Sequence, residues 1–498
     1  MGNLLGIDLG TSRVKVLLVD EKGDILGQGD QGYPFLTPQP GWVEQDPHLW
    51  WSATLKAVRQ ALAGLEDTSS IAGIGLCGQM HGTVFLDDRN ELLGPAVIWP
   101  DQRSSRQVEE ISSLVGRERL VEITGSPLAA GFQAATIRWF QQEKAGFFNQ
   151  AGKVLLPKDY LRWRMTGILC SEPSDGAGSL LLNGRTRDWS AEILAKLDID
   201  PDLLPRIQPS LNLAGKLVHN VGRELGIPGG IPVITGAADT ASSLLGAGIT
   251  SAKDLLLTIS TGGQLILPFY EFTVDRFGRM HTFCSTLEPG PRQAGWYRMS
   301  ATLSAGQSLR WLREEIFKEG VDYDHLTAAA EEAAIGAEGL IFWPYLLGER
   351  SPLMDPQARG MFIGLTTRHG KKEMVRSVME GVIFSLYDAY RLMIEAHIHP
   401  ERIILSGGGG RSQLWSQMVA DIFGLPVVRL QIGEQSALGA AMMAGAGIGL
   451  YDIVETSQRW AKYETEIDPD LINEARYHQI FAMYRSIYQQ IKANTTSQ

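Results

Sequence analysis

An α/β protein built from two similar halves is what this sequence predicts, and three observations carry the prediction. An apolar strand, a small polar tip and a second apolar strand follow one another in residues 4–20, and the same layout returns in residues 254–269. After each hairpin, short apolar strands alternate with stretches at helical spacing. The chain runs to 498 residues, more than one hydrophobic core usually spans, about 250–300 residues.

In chain order, residues 4–9 alternate as a strand, Gly10, Thr11 and Ser12 make a turn, and residues 14–20 return. Residues 25–31 read as a third strand, 48–65 as a helix, 71–78 and 231–235 as further strands. Aligning the two hairpin tips sets Ser260, Thr261 and Gly262 against Gly10, Thr11 and Ser12, a weak internal repeat. The glycine-bearing link 246–251 is the natural seam, so domains of 1–249 and 250–498 are expected. The second half then carries a strand at 403–405, another at 426–430, and helices near 302–317, 373–394, 414–423, 437–446 and 471–493.

Net charge is −11 and no Lys/Arg-rich block occurs, which argues against a nucleic-acid partner or an anionic membrane surface. The three cysteines, Cys77, Cys170 and Cys284, match neither a disulfide framework nor a zinc pattern and fit a reducing compartment. The N-terminal stretch is broken by glycine and an acid, as a core strand is and a signal peptide is not. No run reaches the ~18 apolar residues of a membrane span, and the cytoplasm is the expected address.

A glycine- and hydroxyl-rich turn lets successive backbone N–H groups converge on an anion. Both tips could do so, and each alone is also an ordinary hairpin turn; their pairing favours a polyphosphate. A third cluster, Gly407, Gly408, Gly409 and Gly410, lies between a strand and a helix, where a ring or phosphate can approach the backbone. A dinucleotide fingerprint fits poorly, with Ser412 where a small glycine or alanine belongs, and there is no Gly-Lys-Ser/Thr loop. Asp8 ends the first strand and Asp239 follows the strand at 231–235, positions from which a carboxylate faces a ligand crevice. Asp239 is equally placed to cap a helix.

Motifs spread over most of the chain resemble the FGGY carbohydrate kinases, and among them the xylulokinases: GIDLGTS at 6–12, GWVEQDP at 41–47, GQMHG at 78–82, LLPKDYLRWRMTG at 155–167, GERSP at 348–352 and GGGGRSQLWSQMVADIFG at 407–424. The resemblance implies two ribonuclease-H-like domains, as in actin and hexokinase, with ATP and a sugar in the cleft between them. It implies sugar contacts from Met80, His81, Trp99, Asp101, Arg103 and Thr240, with Asp239 as general base and Asp8 beside the metal and phosphate. Chemistry agrees: a neutral hydroxyl needs a carboxylate to take its proton as the bond to phosphorus forms. Mg²⁺ on Asp8 and Asp239, and phosphates on Thr11, Ser12, Thr261 and Gly262, would spread the transferring charge. The backbone of Gly407, Gly408 and Gly409 would cradle the adenosine. Dimers are common among the proteins it resembles.

The chain departs from the pattern at Gln133 and Thr136, at the rearranged Ser260-Thr261-Gly262-Gly263 tip, and at Thr240, where an asparagine is common. These bear on which ketose, polyol or aldonate is used more than on the reaction. An actin- or chaperone-like ATPase would leave GQMHG and WPDQR without a purpose, and a silent sensor would not need both Asp8 and Asp239.

Overall fold

Alternating apolar residues pair Asn3–Leu9 (β1) with Arg13–Val19 (β2), Leu4 opposite Val19 and Leu9 opposite Val14. The computed structural model describes residues 2–291, 293–318, 320–395 and 399–495. They divide into two units, the first of Met1–Ser251, Pro268–Tyr297 and Glu434–Ala461, the second of Ala252–Leu267, Arg298–Gly433 and Lys462–Gln498.

In the first unit, Ile25–Gly32 (β3) continues the meander beside β2. Helix Pro47–Ala61 (α1) starts where Asp46 accepts the His48 N–H (2.9 Å) and proline takes the first helical position. It buries Trp50, Ala53, Ala57 and Val58. Ile71–Gly78 (β4) runs parallel to β1. Helix Pro157–Thr166 (α2) follows, then edge strand Leu213–Lys216 (β5), Pro232–Ile234 (β6) parallel to β4, and helix Asp239–Gly246 (α3). The sheet order is β3-β2-β1-β4-β6-β5. Leu4, Leu5, Ile7 and Leu9 are fully buried, each contributing roughly 1.5–3 kcal/mol.

The second sheet is built on a similar hairpin. Asp254–Ile259 (β7) and Gly263–Phe269 (β8) form it, Trp296–Thr302 (β9) lies beside β8 with the strand His281–Cys284 beyond it, and Arg402–Ser406 (β10) and Val427–Arg429 (β11) extend it in parallel, so that six strands run in the order His281–Cys284, β9, β8, β7, β10, β11. In both sheets an antiparallel hairpin has a further strand beside its second member and a parallel strand beside its first, β4 next to β1 and β10 next to β7, so the faint repeat in sequence has a counterpart in the centre of each sheet. Helices Gly306–Trp311 (α4), Lys371–Glu395 (α5), Gln413–Phe423 (α6) and Leu471–Thr495 (α7) belong to the second unit. The expected helix at 302–317 is shorter: strand β9 runs to Thr302, and α4 begins only at Gly306 before widening over Leu312–Phe317. The cause lies in the second hairpin's tip, since the N–H groups of Ala305 and Gln307 donate to the Thr261 carbonyl (2.9 and 3.1 Å) and that of Gly306 to Ser260 (2.7 Å).

The units do not follow a single cut near residue 250. Helix Gln435–Gly447 returns to the first unit and lies against β1 and β4 so closely that a Cβ at Gly6 would overlap the Ala437 carbonyl, and one at Gly75 the Ala440 carbonyl. Only backbone without side chains permits that approach. Among the described residues no helix is long and apolar enough to cross a membrane.

Candidate active site

Two carboxyl groups dominate the first unit's site. Asp8, near the end of β1, is 8% exposed, pairs in register with Lys15 and Cys77, and accepts the Cys77 thiol at 3.6 Å. Burial, then the charge of Asp239, push its carboxyl up to about 7, against the pull of Lys15. Asp239 opens α3, and Thr240 donates to its Oδ1 twice, from N (2.6 Å) and Oγ1 (3.2 Å). Burial outweighs these bonds and raises it to about 6. Among the described residues no hydrogen bond reaches Oδ2, which is therefore the oxygen able to accept a proton. The charge of Asp239 raises Asp8, a repulsion that a shared cation would relieve.

Beside them, Met80 is buried with the Tyr297 hydroxyl 4.0 Å from its sulfur. His81 has a positive φ of 73°, and its ring stacks on Phe132 at 3.8 Å and 2°. Nδ1 lies 2.6 Å from the Gly178 carbonyl, which can only accept, so Nδ1 carries the proton and a neutral ring holds its lone pair on Nε2. Trp99, 37% exposed, gives its indole N–H to Thr11 Oγ1 at 3.0 Å. Asp101 and Arg103 are placed differently, in a buried knot. Asp101 accepts from Val43 N (2.6 Å) and from Arg103 Nε (3.0 Å), while Arg103 reaches Glu44 (2.7 Å) and lies 3.9 Å over the Trp42 ring.

The tip of the first hairpin is held from behind. Tyr33 donates its hydroxyl to the Gly10 carbonyl and its N–H to Ser12 O (3.1 Å), and Gln45 donates to Thr11 O (2.6 Å). The N–H groups of Thr11 and Ser12 donate to nothing among the described residues, and those of Thr261 and Gly262 in the second unit likewise. Two unpaired donors at each tip suit a phosphate oxygen. In the second unit a pocket of about 550 Å³ is lined by Ser260, Thr261, Arg310, Gly408, Gly409 and Trp415 among others. Gly407 has φ 84°, and a Cβ on Gly409 would collide with Ile259, so backbone forms that wall. Its size suits a nucleoside.

Several residues that build this site carried no sequence signal of their own. Gln45 accepts from Trp50 Nε1 (3.0 Å) and Gln79 Nε2 (2.9 Å), linking the tip of the first hairpin to the Met80–His81 loop. Phe132 and Tyr297 lie outside every quoted motif. GWVEQDP and LLPKDYLRWRMTG flagged Gln45, Lys158, Asp159 and Arg162 as positions without saying what they do.

Comparison with known proteins identifies the family. The model for the N-terminal domain of the FGGY family of carbohydrate kinases matches residues 3–246, and that for its C-terminal domain matches 278–448. A xylulose kinase of Staphylococcus epidermidis is 34% identical over 99% of this chain and 97% of its own. A gluconokinase of Bacillus subtilis is 30% identical over 90% of this chain and 88% of its own. The crystal structure of a xylulose kinase from Brucella ovis is 32% identical, with a TM-score of 0.92 over 99% of both chains. The chain belongs to the FGGY family of carbohydrate kinases.

Proposed function

We propose that this protein transfers the γ-phosphoryl group of ATP to D-xylulose, giving D-xylulose 5-phosphate, with Asp239 as general base. The observation that carries the reading is the unpaired Oδ2 of Asp239 beside Asp8, at the Met80–His81 wall. Oδ2 would take the hydroxyl proton as the oxygen attacks phosphorus, and a raised carboxyl is a stronger base for that step. His81 Nε2, Trp99, Met80 and Thr240 would orient the sugar. Asp101 and Arg103 would act by holding the loop that carries Trp99.

Asp8 and Asp239 fit a magnesium ion, which takes one or two carboxylates and completes its shell with substrate phosphates and water. Two buried carboxyls, of which Asp239 raises Asp8, with no larger His/Cys/Asp/Glu cluster among the described residues, are the donor set such sharing needs. When bound, the ion would neutralise charge on the phosphates. In the first unit the unpaired N–H groups of Thr11 and Ser12 would take phosphate oxygens, in the second unit those of Thr261 and Gly262 would do the same, and Gly407, Gly408 and Gly409 would line the adenosine pocket. On this reading the catalytic and sugar-binding side chains come from the N-terminal half and the nucleotide site from the C-terminal half. Three buried free thiols suit a cytoplasmic address.

The similarity to a gluconokinase raises an aldonate as the second reading. A neutral ketose is favoured because the cations around this wall are committed: Arg103 to Asp101 and Glu44, Lys158 and Arg162 to Asp159, Arg187 to the carbonyls of Gly295 and Ser285. An ADP-release screen over ketopentoses, polyols and aldonates, run beside Asp239→Asn, tests both claims. Turnover is expected with D-xylulose, and a loss of ~10²–10⁴-fold in kcat is expected for the variant at unchanged Tm. An Asp239→Asn enzyme that keeps most of its activity would falsify the assignment of the base.

A further inference from the structure

We infer that the short helix Pro173–Gly178 is a strut fixing the general base relative to the sugar-facing histidine, with Ser174 as its positioning residue. The inference rests on the assignment of Asp239 above. These six residues carry a tether at each end. At the start, the Ser174 hydroxyl donates to Glu172 Oε2 (2.8 Å) and accepts the N–H of Ala238 (3.0 Å), the residue before Asp239. At the end, the Gly178 carbonyl accepts Nδ1–H of His81 at 2.6 Å. The fit there is close, since a Cβ on Gly178 would stand 3.0 Å from the Met80 methyl.

A buried knot of charge holds the strut itself. Glu172 accepts the N–H groups of Ser174 (2.7 Å) and Asp175 (2.8 Å) and the Ser210 hydroxyl (2.8 Å). Lys158 lies 2.6 Å from Asp159 and 3.7 Å from both Glu172 and Asp175. Arg162 donates to Asp159 (2.9 Å) and to the Thr235 carbonyl (2.7 Å), at the other end of the turn that delivers Asp239. All five of these charged side chains are fully buried, at 0–1% exposure. Burial holds the Asp175 carboxyl well above the ordinary range. Such a knot is weak evidence for stability, because desolvation offsets most of the attraction. What it achieves here is geometric. The turn 235–239 is fixed at Thr235 O, at Ala238 N and, through the Ser436 hydroxyl (3.1 Å), at Asp239 O.

Proton transfer needs the base within about 2.6–3.2 Å of the hydroxyl, and an error of ~1 Å can cost ~10²-fold in rate. Ser174→Ala in the full chain, assayed by ADP release at saturating sugar, is expected to lower kcat by ~10–100-fold with the KM for ATP unchanged. Ser210→Ala removes another hydroxyl from the same Glu172 oxygen while leaving in place the backbone bond from Gly236 N to Ser210 O (3.0 Å), so no side-chain tether of the base's turn is lost, and it is expected to keep kcat within about twofold. Its fall in Tm should match that of Ser174→Ala. Ser174→Thr, which retains the hydroxyl, should recover most of the rate. Ser174→Cys, near in volume and a poor acceptor, gives the same reading if the alanine variant does not fold. Wild-type kcat in Ser174→Ala, or an equal loss in Ser210→Ala, overturns the positioning role. Asp239→Asn in the same assay separates the two claims. If it is active, base and strut fall together; if it is dead while Ser174→Ala is unaffected, the strut alone falls.

Discussion

Glu349 shows what burial does to a single carboxyl when no ligand is at stake. It is 2% exposed, accepts N–H from Arg350 (2.7 Å) and Leu303 (3.0 Å), and takes the Ser385 hydroxyl (3.3 Å). Desolvation still wins over these bonds and over Arg350, lifting the group to about 7. In the folded state the proton is therefore kept between the ordinary glutamate range and pH 7, while the unfolded chain has already lost it. Stability falls as pH rises across that window and levels off above it, by on the order of 3 kcal/mol in all. Glu349→Gln cannot titrate, so urea unfolding at pH 5 and pH 8 should show the wild type losing ground to the variant as pH rises. Parallel pH dependence in the two proteins would show that Glu349 titrates as an exposed glutamate does. Residue chemistry of this kind was half legible in the sequence. GERSP marked the position, but whether an acid there is buried depends on Leu303 and Ser385, 46 and 36 residues away. The same gap bears on Asp101 and Arg103: the resemblance implies sugar contacts for them, and no residue type there foretold that Val43, Glu44 and Trp42 would be their partners.

Elements were legible where their own residues decide them. Both hairpins, the helix at Pro47–Ala61 and the glycine cluster after β10 follow from alternation, capping and turn chemistry. The start of α4 was not, because carbonyls of Ser260 and Thr261, outside its own segment, fix where it begins. The helix Gln435–Gly447 was readable as a helix of small residues, but small residues say only that something comes close. What comes close is the first sheet, and Gly75 measures how close. A Cβ there would run into the Ala440 carbonyl, backbone against backbone, with no side chain able to rotate away. Gly75→Ala is expected to destabilise by at least ~1–3 kcal/mol in urea unfolding. Gly64→Ala, where a Cβ meets nothing within 4 Å, should change stability by no more than about 0.5 kcal/mol. Equal effects at the two sites would mean that the helix yields to the added methyl.

At the scale of the whole chain, the first unit is assembled from three stretches of sequence, Met1–Ser251, Pro268–Tyr297 and Glu434–Ala461. The last stretch completes it chemically as well as sterically. Ser242 donates to the Ser436 carbonyl (2.7 Å), Ser457 donates to the Leu245 carbonyl (2.7 Å), and Lys15 pairs with Glu434 (2.6 Å). The middle stretch supplies Tyr297 against Met80, and the Ser285 and Gly295 carbonyls that take Arg187. A fragment of residues 1–251 keeps every strand of the first sheet yet loses the helix that covers Gly6 and Gly75, leaving apolar surface in water. Removing the partners of buried donors and acceptors adds ~1–3 kcal/mol for each group left unsatisfied, against a total stability of only ~5–15 kcal/mol for an ordinary domain. The fragment should therefore unfold without a cooperative transition by circular dichroism, and its sheet amides should exchange far faster than in the full protein. A cooperative melt within a few degrees of the intact chain would show that the returning segments decorate a domain already complete, and that the Asp239 carboxyl needs nothing beyond residue 251 to be held in place.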